Sequence, residues 1–556
     1  MHKKRFFLVF IASHLLLFKG AIAEVFEVGE GKRYLNISDV PLESIKAGDT
    51  VLIYYRKYPY KEKWVITAVG TREKPVVFRG IPDENGNLPV IDGRDAITRK
   101  GLNFWSETRG IIKIGGSNNP PDTTPAYVLI ENLEIVNAHT PYTFLGRNGL
   151  EAYESNSAAI FIEKGENITI RNCIIHHNGN GIFVASQARN VLIESNYIYG
   201  NGNVGSYYEH NTYTEADRII YQFNRFGPLL DGALGNNLKD RSAGTIIRYN
   251  LIESGNRQLD LVDSGSEELR AKDYYRKTYV YGNLLIEPDG AGNSQILHYG
   301  GDSGITSNYR KGILYFYNNT VISTREGNTT LMRLSSSEEE AYVINNIVFA
   351  TAGGNRVAIL DSEGKVHLIS NWINTGYKNS HSNPKAVVLD EGGNINSYEP
   401  GFANFESGDF HLLEDSVCID KGIDLGTYFL LTPEYEFTED RKGRIRFIDA
   451  VLDLGAFEFV KEIPDVGFDI PVSDLSDVEV NNTTDSDYED PAEQYEEFAS
   501  DELSDIGYSE IRDAQIDSDD LFDVLMEGDI NKININPSEY KDENSRGLDC
   551  SCNSLE

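Results

Sequence analysis

Nine short segments of this chain are variants of one pattern: VLIENLEI, ITIRNCII, VLIESNYI, IIYQFNRF, TIIRYNLI, YVYGNLLI, LYFYNNTVI, YVINNIVF and HLISNWI. In each, alternating apolar residues run into an asparagine and a second short apolar run follows. The shared asparagines are Asn132, Asn172, Asn196, Asn224, Asn250, Asn283, Asn319, Asn346 and Asn371, at spacings of 40, 24, 28, 26, 33, 36, 27 and 25 residues. A basal period near 25 with insertions marks a solenoid. The period-two alternation and the Ile, Val and Tyr content make the repeating unit a strand. Short strands stacked coil upon coil give an all-β fold, a parallel β-helix. In that setting the asparagine sits at a sharp bend, where it tolerates left-handed backbone. Stacked asparagines can then hydrogen-bond along the axis as a ladder.

A solenoid also needs segments that cover its terminal apolar faces. Before the first coil comes IKAGDTVLIYYRKYPYKEKWVITAVGTREKPVVFRGI, then LPVIDG; at the far end comes DRKGRIRFIDAVLDLGAFEF. The first resembles the opening of secreted right-handed parallel β-helix proteins of the pectate-lyase-like superfamily, and DLGAFEF resembles their closing strand. The resemblance spans residues 24–460 and implies a right-handed parallel β-helix with capping segments.

The chain opens with MHKKRFFLVFIASHLLLFKGAIA, a basic start, an apolar run and Ala21-Ile22-Ala23. This reads as a secretory signal over 1–23, cut after Ala23, with an uncleaved anchor as the alternative. The expected location is secreted, periplasmic or cell-surface. No other stretch is apolar enough to span a membrane. The four cysteines, Cys173, Cys418, Cys550 and Cys552, form no disulfide framework. Cys173 reads as a buried small hydrophobe, and the terminal Cys-Ser-Cys is too isolated for zinc. Residues 461–556 carry 29 acids and 5 bases of a chain whose net charge is −35. That composition predicts a largely disordered acidic tail. Asp485 and Asp487 hint at a calcium loop, but the glycine an EF-hand needs is missing. So acidic a protein is a poor partner for nucleic acid, and a monomer is expected.

Aligning the coils on their asparagines exposes a second column. Ten to fourteen residues earlier lie AAIFIEK (158–164) and GIFVASQ (181–187), both bland. Then come HNTYTEAD (210–217), NNLKDRSA (236–243), RQLDLVDS (257–264), QILHYGGD (295–302) and TTLMRLSS (329–336). Equivalent positions of successive coils lie about 4.8 Å apart. Tyr213, Lys239, Asp260, His298 and Arg333 should therefore form one outward column, flanked by His210, Arg241, Arg257 and Asp263. With Leu238, Leu259 and Leu261 inward, the charges would line an outer face where an extended polymer can lie. The bland alternative is that stacked opposite charges, such as Lys239 over Asp260, merely satisfy each other.

A groove with Lys, Arg, His and Tyr in an exported protein suits an acidic polysaccharide. Lyases cleave uronic-acid chains by β-elimination, which needs a base at C5 and groups that neutralise the adjacent carboxylate. Lys239 is the candidate base. Arg241 would lower its pKa and Asp260 would raise it. Arg241 or Arg257 could grip the uronate carboxylate with two prongs. His210 or Tyr213 could protonate the leaving oxygen. Asp260, Asp263, His298 and Arg333 are candidate substrate contacts.

Residues 236–263 are similar to the catalytic run of the chondroitinase B and alginate lyase family, polysaccharide lyase family six. The resemblance puts Lys239 at that family's lysine and Asn250 at its turn. Where that family has an arginine in a T-L-R-H-like strand, this chain reads LDLVD, with Arg257 nearby but offset. Polygalacturonase-type hydrolases would show R-I-K and paired aspartates; R-I-K is absent, and Asp260 with Asp263 is a weak stand-in. The D-P-H of secreted epimerases and the W-I-D-H of the main pectate lyases are absent. No cofactor is certain. Asp231, Asp260 and Asp263 offer carboxylates for a calcium site. The second class of reading is a non-catalytic polysaccharide-binding or surface protein, in which Lys239 could become arginine with little loss.

Overall fold

The structure, a computed structural model, describes residues 23–461 apart from 383, 384, 429 and 450. Residues 1–22 of the expected signal segment (1–23) and 462–556 of the expected acidic tail (461–556), with Asp485, Asp487, Cys550 and Cys552, lie outside the described residues.

A typical coil carries three strands. In one coil they are Ala243–Arg248, Leu251–Glu253 and Leu259–Leu261. Each pairs in parallel and in register with its equivalent in the next coil, as in Thr245 with Thr278, Leu251 with Leu284, and Leu259 with Leu297. The strands that follow the bends form one 11-stranded sheet, from Val90–Asp92 to Ile395–Ser397. The other two faces join into a 24-stranded sheet. They join because Ala158–Arg171 and Asn180–Glu194 each run continuously round a corner. The chain is a parallel β-helix, as the repeat predicts. Its axis is filled by stacked apolar side chains; Leu238, Leu259, Leu297, Met332 and Leu360 are register partners in successive coils, all fully buried.

The asparagines divide into two roles. From Asn196 to Asn371 they are fully buried and form a ladder. The backbone N–H of Asn224 donates to Asn250 Oδ1 at 2.9 Å, and that of Asn250 to Asn283 Oδ1 at 3.0 Å. The side-chain Nδ2 of Asn250 donates to the same Asn283 oxygen at 2.9 Å. The left-handed residue is not the ladder asparagine but the one before it: Ser195, Phe223, Tyr249, Gly282, Asn318, Asn345 and Ser370. Asn132 and Asn172 are offset by one. They take the left-handed bend themselves, at φ 57° and 53°, and Cys173 holds the ladder position, its N–H donating to Asn196 Oδ1. A thiol can fill that buried slot because only its backbone N–H has to be satisfied by the next coil. Burial pushes the Cys173 thiol up to about 12.

DLGAFEF is not a closing strand. Residues 452–459 lie along the ridge of bends instead. Gly455 N–H donates to the Asn345 carbonyl and Ala456 N–H to Thr320 Oγ1. Asn318 Nδ2 donates to the carbonyls of Asp453 and Gly455. The bend ridge carries Tyr249, Tyr281, Tyr317, Ile344 and Ile369, and Leu425, Leu430 and Leu452 cover them. Burying that aromatic row along the side accounts for a strap rather than an end cap.

Candidate functional site

The strands Thr212–Thr214, Leu238–Asp240, Leu259–Leu261, Gln295–Tyr299, Thr329–Leu334 and Val357–Ser362 stack on one face. Their register aligns Tyr213, Lys239, Asp260, His298, Arg333 and Asp361. The first five are the column expected from the spacing. Upstream the same column continues through Phe183, Phe161 and Lys113. The two coils read as bland therefore contribute aromatic rings: Phe183 stacks on Tyr213 at 5.2 Å and 11°, and Phe161 meets Phe183 edge-on. In sequence they look like core residues, because an alternating aromatic does not reveal which face it takes.

The charges of NNLKDRS go to both faces. Asp240 points into the coil and is fully buried. It accepts from Thr214 Oγ1 at 2.8 Å, Thr245 Oγ1 at 2.6 Å and Ser242 N–H at 3.2 Å, and it pairs with Arg310 at 3.4 Å. Arg310 is also fully buried and donates to the carbonyls of Val262 and Ser242. It ties the segment after Gln295–Tyr299 to the coils beneath.

Lys239 leaves the opposite face, but it is not free in solvent as expected. Its side chain is 8% exposed, and Nζ lies 2.5 Å from Asp260 and 2.6 Å from Asp302. The reason is the turn that begins at Gly300, which folds back over the column. Asp263 fixes the base of that turn by accepting the N–H groups of Asp302 and Ser303. Asp302 then reaches Arg241 Nη2 at 2.7 Å with its other oxygen. One carboxylate so bridges Lys239 and Arg241. Arg241 also donates through Nε to Tyr213 Oη at 2.8 Å and through Nη1 to the Asp263 carbonyl.

The electrostatics follow from these contacts. Burial would lower the Lys239 pKa, but Asp260 and Asp302 outweigh it and hold the ammonium above its usual range. Lys239 as a resting general base is therefore corrected: two carboxylates keep it protonated. Burial would likewise raise Asp260, yet Lys239 and His298 hold it well below the carboxylate range. Asp302 is lowered too, with burial opposed by Lys239 and Arg241.

His298 Nδ1 donates to Asp260 at 2.8 Å and Nε2 meets Ser335 Oγ at 2.9 Å, while burial lowers its pKa. His210 is fully enclosed and pushed down to about 3, by burial first and Lys239 second. Its Nδ1 accepts the N–H of Asn236 at 2.9 Å. A neutral, enclosed imidazole does not suit the expected acid role, and His210 instead packs beside the Tyr213 ring at 5.7 Å.

On the far side, Arg257 donates to Gln295 Oε1 at 2.7 Å, and Gln295 donates to Asp361. Arg333 Nε finds no hydrogen-bond partner among the described residues. Arg257 is within electrostatic reach of Arg333 and also of Asp260 and Asp302, so the two arginines form a second cationic patch that adjoins the Lys239 cluster.

The carboxylates do not assemble a metal site. Asp231 is exposed on a separate loop, both oxygens of Asp260 are taken, and those of Asp263 serve the Asp302 turn. Among the described residues no three His, Cys, Asp or Glu converge on a metal position. The same contacts leave Asp260 and Asp263 unavailable as a hydrolytic pair. A cavity of about 470 Å³ lies elsewhere, lined by Phe349, Gly354, Thr375, Tyr398 and Glu399. With one carboxylate and no cation it lacks the chemistry of the column, so the column is the candidate site. Among the described residues no helix is long and apolar enough to cross a membrane.

Residues 90–284 match the family model described as "Right handed beta helix region". The chain is thus a right-handed parallel β-helix, the fold that the sequence resemblance implied. No curated protein matches the sequence. Solved structures similar to this one include an alginate lyase from Paenibacillus sp. str. FPU-7, at 11% identity and a TM-score of 0.35, covering 68% of this chain and 99% of that one. Pectate lyase Pel9A is similar at 12% identity and a TM-score of 0.42, covering 79% and 97%. The GH136 lacto-N-biosidase from Eubacterium ramulus is similar at 12% and 0.43, covering 68% of each chain.

Proposed function

We propose that this protein is an exported polysaccharide lyase that cleaves uronic-acid-containing polymers by β-elimination. The observation that carries the reading is the bridging of one carboxylate by Lys239 and Arg241 at 2.6 and 2.7 Å, beside the Tyr213 hydroxyl. Two cations on one carboxylate are what the reaction needs as charge spreads from C5 into the uronate group. In this reading Lys239 and Arg241 neutralise, and Tyr213 moves the proton. Its oxygen accepts the C5 proton as it hands its own to the leaving O4. The C5–H electron pair becomes the C4=C5 double bond, and the C4–O4 pair leaves with the oxygen. Phe183 and Tyr213 offer a stacking platform on one side, and Arg257 with Arg333 offers cationic contacts on the other. The polymer would lie along the column, across the coils.

A second reading, a non-catalytic polysaccharide-binding protein, draws on the same double pairing, which leaves Lys239 unable to take a proton. Mass spectrometry of polymer chain ends separates elimination, hydrolysis and no cutting, and proton NMR of the sugar rings identifies epimerisation. Elimination leaves an unsaturated end and consumes no water. A glycoside hydrolase adds one water per cut, an epimerase changes sugar configuration without cutting, and a binding protein leaves the chains intact. Intact or hydrolysed chains with a polymer that demonstrably binds would overturn the lyase reading.

A further inference from the structure

We propose that the space between Lys239 and Arg241 is a carboxylate-binding site that the protein's own Asp302 fills at rest, and that the carboxylate of a sugar acid takes its place. This rests on the uronic-acid reading above and adds the resting occupant and the exchange.

Four observations support it. First, Asp302 is the one carboxylate that both cations share. Lys239 has Asp260, Arg241 lies 3.7 Å from Asp263, and Asp302 is the third acid, shared by both cations. Exchanging one carboxylate for another keeps both contacts, whereas simply withdrawing Asp302 leaves Lys239 Nζ and Arg241 Nη2 each short of a charge-assisted hydrogen bond. Second, Asp302 is the accessible member, with its side chain 31% exposed against 8% for Lys239 and 15% for Arg241. The occupant can be reached from solvent while its two partners are fixed. Third, the turn is anchored at its base and open at its tip. Asp263 and the buried Arg310 hold the two ends, and residues 302–307 between them are exposed. Gly300, at φ 125°, and Gly304, at φ 77°, flank the aspartate with backbone that glycine adopts freely. Fourth, the site lies in the column, between the aromatic pair Phe183–Tyr213 and the Arg257–Arg333 patch. A polymer laid along the face would therefore present its acid groups to it.

The test is occupancy of the vacated site. Full-length Asp302→Ala would be compared with wild type by thermal unfolding in sodium acetate and in sodium galacturonate. Sodium chloride of equal ionic strength is the control. Both organic anions are expected to raise the midpoint of Asp302→Ala by a degree or two relative to chloride, by occupying the native state alone. Wild type, whose site is filled, should show at least about tenfold weaker response. Should Asp302→Ala fail to fold, Asp302→Ser, whose shorter side chain also vacates the space, carries the same comparison. An Asp302 variant that responds to acetate and galacturonate no more than to chloride would overturn the proposal, and so would a wild type that responds equally. The lyase reading fails independently: carboxylate rescue with no unsaturated product from any polymer would sink the reaction and leave the site standing.

Discussion

Replacing His210 with glutamine should make the protein less sensitive to acid, and the size of the effect can be worked out. The imidazole is enclosed by Asn236, the Tyr213 ring and the Lys239–Asp260 pair, and it is pushed down to about 3. Burial is the main cause. Lys239 and Arg241 add repulsion, and Asp260 opposes them. An unfolded histidine titrates near 6.5. A group whose folded pKa is depressed contributes stability that is present above its unfolded pKa and lost as pH falls towards the folded one. Between about pH 8 and about pH 5, His210 therefore costs the native state about 2 kcal/mol, at about 1.36 kcal/mol per unit below 6.5. Glutamine can still accept the Asn236 N–H but does not titrate. Guanidinium denaturation of wild type and His210→Gln at both pH values isolates the term, because other titrating groups cancel in the difference. The stability gap should move by about 2 kcal/mol in favour of the variant at the lower pH. A gap that does not change with pH would mean that His210 is not an enclosed neutral imidazole.

The two asparagine roles predict opposite outcomes. Asn283→Ala leaves Asn250 N–H and the carbonyls of Ile247 and Tyr281 without their partner, and should cost about 3 kcal/mol in denaturation. Asn132→Gly, at a left-handed bend, should stay within about 0.5 kcal/mol of wild type. Arg310→Met strands Asp240 inside the coil and should cost about 3–5 kcal/mol by the same measurement. Tyr213→Phe removes the oxygen beside Arg241 and keeps the ring on Phe183. It should fold normally, bind polymer like wild type and lose about 10²–10⁴-fold in turnover; an equal loss of binding would instead make Tyr213 a contact residue.

The coil stack was legible because each turn repeats the same backbone problem, and a repeated problem leaves a repeated residue. The column was legible for the same reason: in a parallel stack sequence spacing is spatial register, so the spacing alone aligns Tyr213, Lys239, Asp260, His298 and Arg333. The cover over that column was not legible. Asp302 and Arg310 sit in an insertion between strands, outside the period, 63 and 71 positions after Lys239, and nothing local says which coil such a segment folds back upon. Missing Asp302 is why Lys239 read as an exposed base rather than a buried, doubly paired cation. Asp240 was missed differently: an acid facing inward violates the strand pattern, and only Thr214, Thr245 and Arg310, from three separate segments, make it tolerable. DLGAFEF shows the limit of a motif, since its apolar residues fit a side strap as well as an end cap.

The central claim is tested most directly by the ultraviolet absorbance of the conjugated C4=C5 bond of unsaturated uronate. Wild type and Arg241→Met would be incubated with alginate, pectate, chondroitin sulfate and heparin, with and without calcium. The account predicts a rise with wild type on at least one polymer and its loss in Arg241→Met. No rise on any polymer, from a wild-type protein that binds one of them, would contradict it.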